Sequence, residues 1–398
     1  MLPSTTIIIP ARNASSTIER AIASACAQGN CSIVLIDDFS DDDTVLRAQR
    51  FARKQIKVIR PEKHESLGFT RQTALDAVET AYGMWLDADD ELLDGRLMRM
   101  VEIMETEESD FVCDAAELWS GLTGEFIRPL PIPNFLKNHH PLARLFERNF
   151  LPAPGAIGFR TKTARHFGYD IRLHGAEDYD FLLRVTAAGA RISLLDRIGY
   201  RVFAYPQSLS RCADNQRRMC QAALEKHSYY AVRDLYIKAG YEDRVALWGL
   251  VSVAMFREDY PAVLRFLQEL QERVYDPATI LEPDGPCPYP EFWRMEFFYG
   301  TALLLQGRTI EALPILERQH QQIPTAAGCN NLGVAKWHTG DKSGAALLFQ
   351  EGLHLFPGYM DASRNLNSVC PNNITTHPLR AEPARMDYDG ISNTNSSE

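Results

Sequence analysis

Apolar runs of strand length alternate with helical periodicity over the first ninety or so residues of the chain. Residues 5–10 (TTIIIP) form a β-branched run stopped by Pro10, the pattern of a buried strand. Residues 15–28 read as a helix, with Ser15 or Ser16 as its cap, Glu19 in its first turn, and Ile18, Ala21, Ile22 and Ala25 on one face. Residues 31–38 (CSIVLIDD) make a second apolar strand that ends in two aspartates, and Ser40 is the candidate cap of the next helix. A third strand at 56–61 (IKVIRP), a helix at 69–80 and a fourth strand ending in MWLDADD continue the series. This alternation predicts an α/β domain with a mostly parallel sheet and helices on both faces. Ligands of such sheets bind beyond the carboxyl ends of the strands. Pro10 to Asn13, Asp37 and Asp38, and Asp87 to Asp90 all fall at those ends, so three polar clusters are expected on one edge.

From about residue 215 strand-like runs give way to amphipathic helical patterns that continue to about residue 368. An internal echo appears there. Gly300, Ala312, Leu316 and Pro324 are repeated by Gly333, Ala345, Phe349 and Pro357, each 33 residues on. Small residues that let two antiparallel helices pack closely, with a proline closing the second, make the tetratricopeptide pattern. The NNLG at 330–333 is partly echoed by RNLN at 364–367, and residues 246–277 resemble a degraded copy. Residues 1–215, 216–368 and 369–398 are therefore expected to be a catalytic domain, a tetratricopeptide-like helical domain and a disordered polar tail.

Composition narrows the partners. The formal net charge of −10 argues against a nucleic-acid polymer or an anionic membrane as the main partner. No apolar run approaches the ~20 residues of a membrane span, and the first residues lack the basic n-region of a signal peptide. The eight cysteines show neither C-x-x-C pairs nor zinc spacing, as expected of scattered thiols in a reducing cytoplasm.

The chemistry lies in two acidic groups. An alternating Asp87-Ala88-Asp89 at a strand end points two carboxylates the same way, suited to a hard divalent cation that also binds phosphate oxygens. Within HGAEDYDFLLRV (174–185), Glu177, Asp178 and Asp180 open a helix. Asp180 reads as a dipole partner of that helix. Glu177 or Asp178, presented to a cleft, can act as general base on an acceptor hydroxyl. A dinucleotide fold is excluded, because the PARNASS loop after the first strand contains no glycine.

These segments, in order, resemble a family 2 glycosyltransferase of the inverting GT-A type: TIIIPARNASSTIERAIASACAQ, IVLIDDFSDDDT, LGFTRQTALDAV, MWLDADDEL, FGYDIRLHGAEDYDFLLRV and SLSR (208–211). The resemblance covers roughly residues 4–212 and implies a GT-A (Rossmann-like) nucleotide-sugar-binding domain followed by the all-α tetratricopeptide-like domain. It implies Mn²⁺ or Mg²⁺ held by Asp89 and Asp87, and Asp178 in the catalytic-base position with Glu177 beside it. It places the nucleotide sugar, UDP-linked in the first instance, against Pro10, Ala11, Arg12, Asn13, Asp38, Arg71, Asp87 and Asp90. Arg12 stands where the family usually has an aromatic residue, and the YRVFAYPQSLSR stretch lacks the histidine many members carry near the metal. The sugar would be a hexose or N-acetylhexosamine, the acceptor a glycan, peptide or protein, and the repeats would bind a protein or self-associate. A nucleotidylyltransferase on a related sheet and a scaffold with an inactive transferase domain are the competing readings. The former lacks its glycine-rich, lysine-bearing loop, and the latter is opposed by two intact acidic motifs.

Overall fold

The first four apolar runs form strands β1 (Thr5–Ala11), β2 (Ser32–Asp37), β3 (Ile56–Ile59) and β4 (Tyr82–Trp85), separated by α1 (Ile18–Ala27), α2 (Thr44–Gln49) and α3 (Leu67–Asp76). The computed structural model describes residues 5–51, 56–63, 65–205, 213–273, 287 and 289–376. β1 lies between β2 and β4, parallel to both, and β3 extends the sheet beyond β2. Ile7, Ile8 and Ile9 are fully buried because a parallel sheet is covered on both faces. The pairs Pro10↔Ile36 and Ala11↔Asp37 bring the ends of β1 and β2 level.

The sheet does not stay parallel. It continues through β5 (Glu91–Leu92), α4 (Arg96–Thr106), β6 (Phe111–Ser120), β7 (Phe126–Leu130), α5 (Asn134–Lys137), β8 (Ile157–Arg160), α6 (Thr161–Phe167), α7 (Glu177–Ala187) and β9 (Ile192–Ala204). The spatial order is β3-β2-β1-β4-β8-β6-β9-β5, with β7 paired to β6. β8 runs antiparallel between β4 and β6, whereas β6 and β9 are parallel. The expectation of a mostly parallel sheet thus holds for the first four strands, and the whole is mixed.

The expected helix caps are also revised. Ala14 carbonyl accepts the N–H groups of Thr17 and Ile18, so α1 starts later than Ser15 or Ser16 would allow. Ser40 does not cap α2; its hydroxyl accepts from the Asn13 N–H at 3.0 Å. Ser66 caps α3 by accepting from Phe69 N–H.

The chain divides into two compact units, Met1–Gly240 and Tyr241–Glu398, so that α8 (Ala213–Glu225) and α9 (Tyr229–Lys238) belong to the first. The change of pattern near residue 215 marks where helices take over; the contacts separate at residue 240. The second unit is helical, with α10 (Asp243–Phe256), α11 (Tyr260–Gln271), α12 (Glu291–Leu305), α13 (Thr309–Gln322), α14 (Ala326–His338), α15 (Lys342–Leu355) and α16 (Met360–Leu366). A Cβ on Gly300 of α12 would stand 2.7 Å from Leu316 of α13, and one on Gly333 of α14 would stand 2.6 Å from Phe349 of α15. The 33-residue echo is therefore a repeated close approach of paired helices. Pro324 and Pro357 follow the ends of α13 and α15. Part of the tail departs from the expected disorder, since residues 371–376 are held by side chains of α14 and α16. Residues 377–398 lie outside the described residues. Among the described residues no helix is long and apolar enough to cross a membrane.

Candidate active site

Behind β4 the chain alternates. Asp87 and Asp89 are partly exposed, while Ala88 and Asp90 are buried. The D-x-D carboxylates thus leave the same side of the backbone, as their spacing predicts. Asp90 turns inward, where its carboxylate accepts from Phe203 N–H at 2.9 Å and shares a hydrogen bond with the Tyr200 hydroxyl. That hydroxyl also accepts from Asp87 N–H at 3.0 Å. Fully buried Tyr200 therefore holds the acidic turn from β9, and a Cβ on Gly155 would lie 2.0 Å from its hydroxyl oxygen. Only glycine leaves room for the ring. On the other side the Arg20 guanidinium of α1 donates to the Asp89 carbonyl and sits 3.6 Å over the Phe203 ring.

The second acidic motif reaches the same place through α3. Gly68 N–H donates to Leu173 carbonyl at 3.2 Å, and the Ser66 hydroxyl donates to Ile171 carbonyl. These bonds hold the loop before α7 against α3, and the turn into the helix passes through Ala176 at φ 55°. Arg71 then bridges the motifs, with Nε donating to Glu177 at 2.8 Å and a terminal nitrogen 3.5 Å from Asp87. Its guanidinium lies 4.9 Å over Trp85, whose ring meets Tyr169 edge-on. This aromatic floor, with the side chain only 10% exposed, commits Arg71 to the two carboxylates.

Burial and crowding shape the protonation of these acids. Burial first, and the Asp87 charge second, push the Asp89 carboxyl up to about 6. Burial and then Glu177 push Asp178 to about 6, against the pull of Arg71. Burial raises Asp87 despite Arg71, and raises Asp90 well above the usual carboxylate range with Asp89 and Asp87 adding to it. Asp180 plays a different part from the dipole partner expected. It is fully buried and pairs with Arg184 at 2.8 Å and Lys226 at 2.5 Å, anchoring α7.

At the ends of β1 and β2 the two loops are stitched together. Besides the Asn13–Ser40 contact, Asp41 N–H donates to Asn13 Oδ1 at 2.9 Å, Ala14 N–H to Thr44 at 2.8 Å and Ser15 N–H to Asp42 at 3.0 Å. Of the two aspartates ending β2, Asp37 is paired with Arg60 at 2.7 Å. Asp38 follows it, buried, with its N–H on Ala11 carbonyl at 2.8 Å. Arg12 and Asn13 are exposed beside them. Phe39, half-buried with φ 58°, is the aromatic residue of this rim, and its place after two aspartates was the signal that could have found it. Tyr200 and Arg20 were also missed; their contacts to residues distant in sequence mark them.

His174 is exposed on its loop, and Ser208 to Arg211 lie outside the described residues. A hollow of about 610 Å³ opens beside Tyr82, Arg160 and Arg165, at the amino end of β4 and away from the acids. In the helical unit His320, Cys329 and Glu351 bring one ligand atom each within 4.8 Å. Burial pushes the Cys329 thiol up to about 12, so the 3.6 Å contact to His320 is explained as a thiol hydrogen bond. The acids behind β4 fit a cation better. Their donor set is all carboxylate oxygen, suited to a hard divalent ion, and their mutual repulsion is what such an ion relieves.

A parallel β3-β2-β1-β4 half, a mixed extension and acidic turns at the strand ends define the GT-A fold class. Residues 6–167 match the model of the family "Glycosyl transferase family 2", so the likeness to that family lies in the sheet-bearing part of the chain. The succinoglycan biosynthesis protein ExoU of Rhizobium meliloti is 31% identical over 223 residues, 51% of this chain and 63% of that protein. An Escherichia coli protein named UDP-Glc:alpha-D-GlcNAc-diphosphoundecaprenol beta-1,3-glucosyltransferase WfgD is 28% identical over 138 residues, 33% of this chain and 54% of its own length. The chain thus spans less than two thirds of either relative. The crystal structure of S. aureus TarS 1-349 in complex with UDP-GlcNAc is similar at a TM-score of 0.51 and 15% identity, covering 85% of this chain and 92% of that one, a likeness of fold.

Proposed function

We propose that the chain is an inverting glycosyltransferase that moves a hexose or N-acetylhexosamine from a nucleotide-diphosphate donor, UDP-linked in the first instance, to a hydroxyl of an acceptor glycan. The observation that carries this is the Arg71 bridge. It joins the D-x-D turn and the Glu177-Asp178 pair, far apart in sequence, side by side at the strand ends. The E. coli relative, named for a UDP-glucose donor, supports a UDP-sugar, and the Rhizobium relative, named for succinoglycan biosynthesis, supports a glycan acceptor.

In this reading Pro10, Ala11, Arg12, Asn13 and Asp38 take the nucleoside end of the donor. Asp89 and Asp87 hold Mg²⁺ or Mn²⁺, which when bound supplies positive charge to the leaving diphosphate. Asp90, bonded to Phe203 N–H, holds the turn that carries them, and Arg71 pairs with Asp87. Asp178 accepts the acceptor's hydroxyl proton while that oxygen attacks the anomeric carbon. The carbon–oxygen bond to the diphosphate breaks, its electron pair leaves with the nucleoside diphosphate, and the configuration inverts. A carboxyl pushed up to about 6 is still ionised at neutral pH yet is a stronger base than an ordinary aspartate. Glu177, tied to Arg71, is less free to take the proton.

A polypeptide acceptor is a second reading. It rests on the Gly300/Gly333 register, which supports tetratricopeptide-like repeats in the helical unit. The two are separated by incubating the full chain with a panel of UDP-sugars and Mn²⁺, with glycan or polypeptide acceptors, and measuring UDP release. Release from at least one donor, stimulated by a glycan, is expected. A panel that yields neither UDP release nor UDP binding would refute the activity.

A further inference from the structure

The helical unit contains a built polar site that is already filled. Asn331 of α14 and Asn365 of α16 stand 34 residues apart in the echoed NNLG and RNLN segments. Asn331 Oδ1 accepts from Thr375 N–H at 2.8 Å, and its Nδ2 donates to Thr375 carbonyl at 2.8 Å. Asn365 does the same two residues earlier, with Oδ1 accepting from Asn373 N–H at 2.8 Å and Nδ2 donating to Asn373 carbonyl at 2.9 Å. Asn330 adds a donor to that carbonyl at 2.8 Å and ties the clamp together by accepting from Asn365 Nδ2 at 2.9 Å. All three asparagines are essentially fully buried.

A carboxamide carries one donor edge and one acceptor edge, as a peptide unit does, so each pairing reads backbone and ignores side-chain identity. The spacing suits an extended chain, in which alternate residues face one side. Along the segment Asn372 is exposed, Asn373 and Ile374 are half-buried and Thr375 is fully buried. Two side chains are also touched: Asn373 Nδ2 donates to Asn365 Oδ1 at 3.1 Å, and Thr375 is enclosed. The Thr375 hydroxyl donates to Asp361 at 2.8 Å, accepts from Asn330 at 3.2 Å and lies 2.7 Å from the Tyr359 hydroxyl.

We propose that Asn330, Asn331 and Asn365 form a clamp for an extended polypeptide with Ser or Thr at the enclosed position, and that residues 373–375 occupy it as an internal ligand that an incoming segment displaces. This does not depend on the transferase reading.

The test uses the full chain and a fluorescein-labelled peptide of residues 371–378 (PNNITTHP). The double substitution Asn373→Pro with Thr375→Pro removes both clamped N–H groups from the tail and leaves the clamp intact. The expected result is probe binding by this variant at least about tenfold tighter than by the natural chain, whose own tail competes. Adding Asn331→Ala with Asn365→Ala should abolish it, and a probe with Val at the enclosed Thr should bind about tenfold more weakly. A folded tail variant that does not bind the probe overturns the proposal. If that variant loses its helicity, the natural chain decides the matter by hydrogen exchange. Faster exchange at the Asn373 and Thr375 amides in excess probe supports displacement, and unchanged exchange makes the tail a fixed part of the fold.

Discussion

Replacing Asp89 by asparagine should strengthen the fold and weaken its ligand binding, with a pH dependence that follows from the structure. Burial and the neighbouring Asp87 push the Asp89 carboxyl from an ordinary 3.8 up to about 6. A raised value means that the folded state holds the proton more tightly than the unfolded state. The group therefore favours the fold at low pH, and that contribution is lost as pH rises through about 6. A difference of about two pH units sets a ceiling of roughly 3 kcal/mol on the cost of the ionised form at pH 8. Partial exposure of the group reduces this to about 1–2 kcal/mol. For a unit of this size that is a rise of about 2–6 °C in Tm for the Asp89→Asn protein. About half of the gain should be present at pH 5 and all of it above pH 7. Scanning calorimetry in EDTA at pH 5 and pH 8 measures this, and repeating it with Mn²⁺ and UDP should reverse the order, since only the natural carboxylate gains from the cation. A variant equal to the natural protein in Tm at both pH values, or one with an undiminished shift on adding Mn²⁺ and UDP, would refute the reasoning.

Asp178→Asn should leave UDP affinity intact while lowering sugar transfer by about 10²–10⁴-fold, and the acid limb near pH 6 in the natural enzyme's rate profile should vanish with it. Arg71→Met leaves Glu177 and Asp87 without their shared cation and should lower stability by about 3–5 kcal/mol at neutral pH, read by urea unfolding. Gly155→Ala, whose Cβ would meet the Tyr200 hydroxyl at 2.0 Å, should displace that ring and cut metal-dependent UDP binding although it touches no ligand. Gly333→Leu should split α14 from α15 by collision with Phe349, seen as lost helical circular dichroism, while Gly340→Ala in the following turn meets no atom and should cost only the roughly 1–2 kcal/mol of its positive φ.

The parts of this molecule that were legible in the sequence are those specified by local pattern. Residues 5–10 and 31–38 are apolar because both faces of their strands are covered, and acids placed just beyond such runs emerge on one edge. The Gly300/Gly333 echo was legible because close helix packing demands a small residue at each repeat. The caps were misread because the Ser40 hydroxyl bonds across to the β1 loop, and because the Ala14 carbonyl, not Ser15 or Ser16, accepts the first N–H groups of α1. The mixed half of the sheet was hidden for another reason. β6 is buried along most of its length and so lacks the alternation that would expose it as a strand. Arg71 reads only as a cation in a helix until Glu177, 106 residues on, is placed against it. Residues 371–376 look like disordered tail because their composition offers little to bury, and the bonds that hold them come from asparagines elsewhere.

The most direct test of the central claim, that Asp87, Asp89 and Asp178 serve one nucleotide-sugar site with separate tasks, is calorimetric titration of UDP into the full chain with and without Mn²⁺. The natural protein should bind UDP more tightly with the cation, Asp89→Ala should lose that enhancement, and Asp178→Asn should keep it. Equal UDP affinity and equal metal dependence in the natural protein and the Asp89→Ala variant would contradict the account.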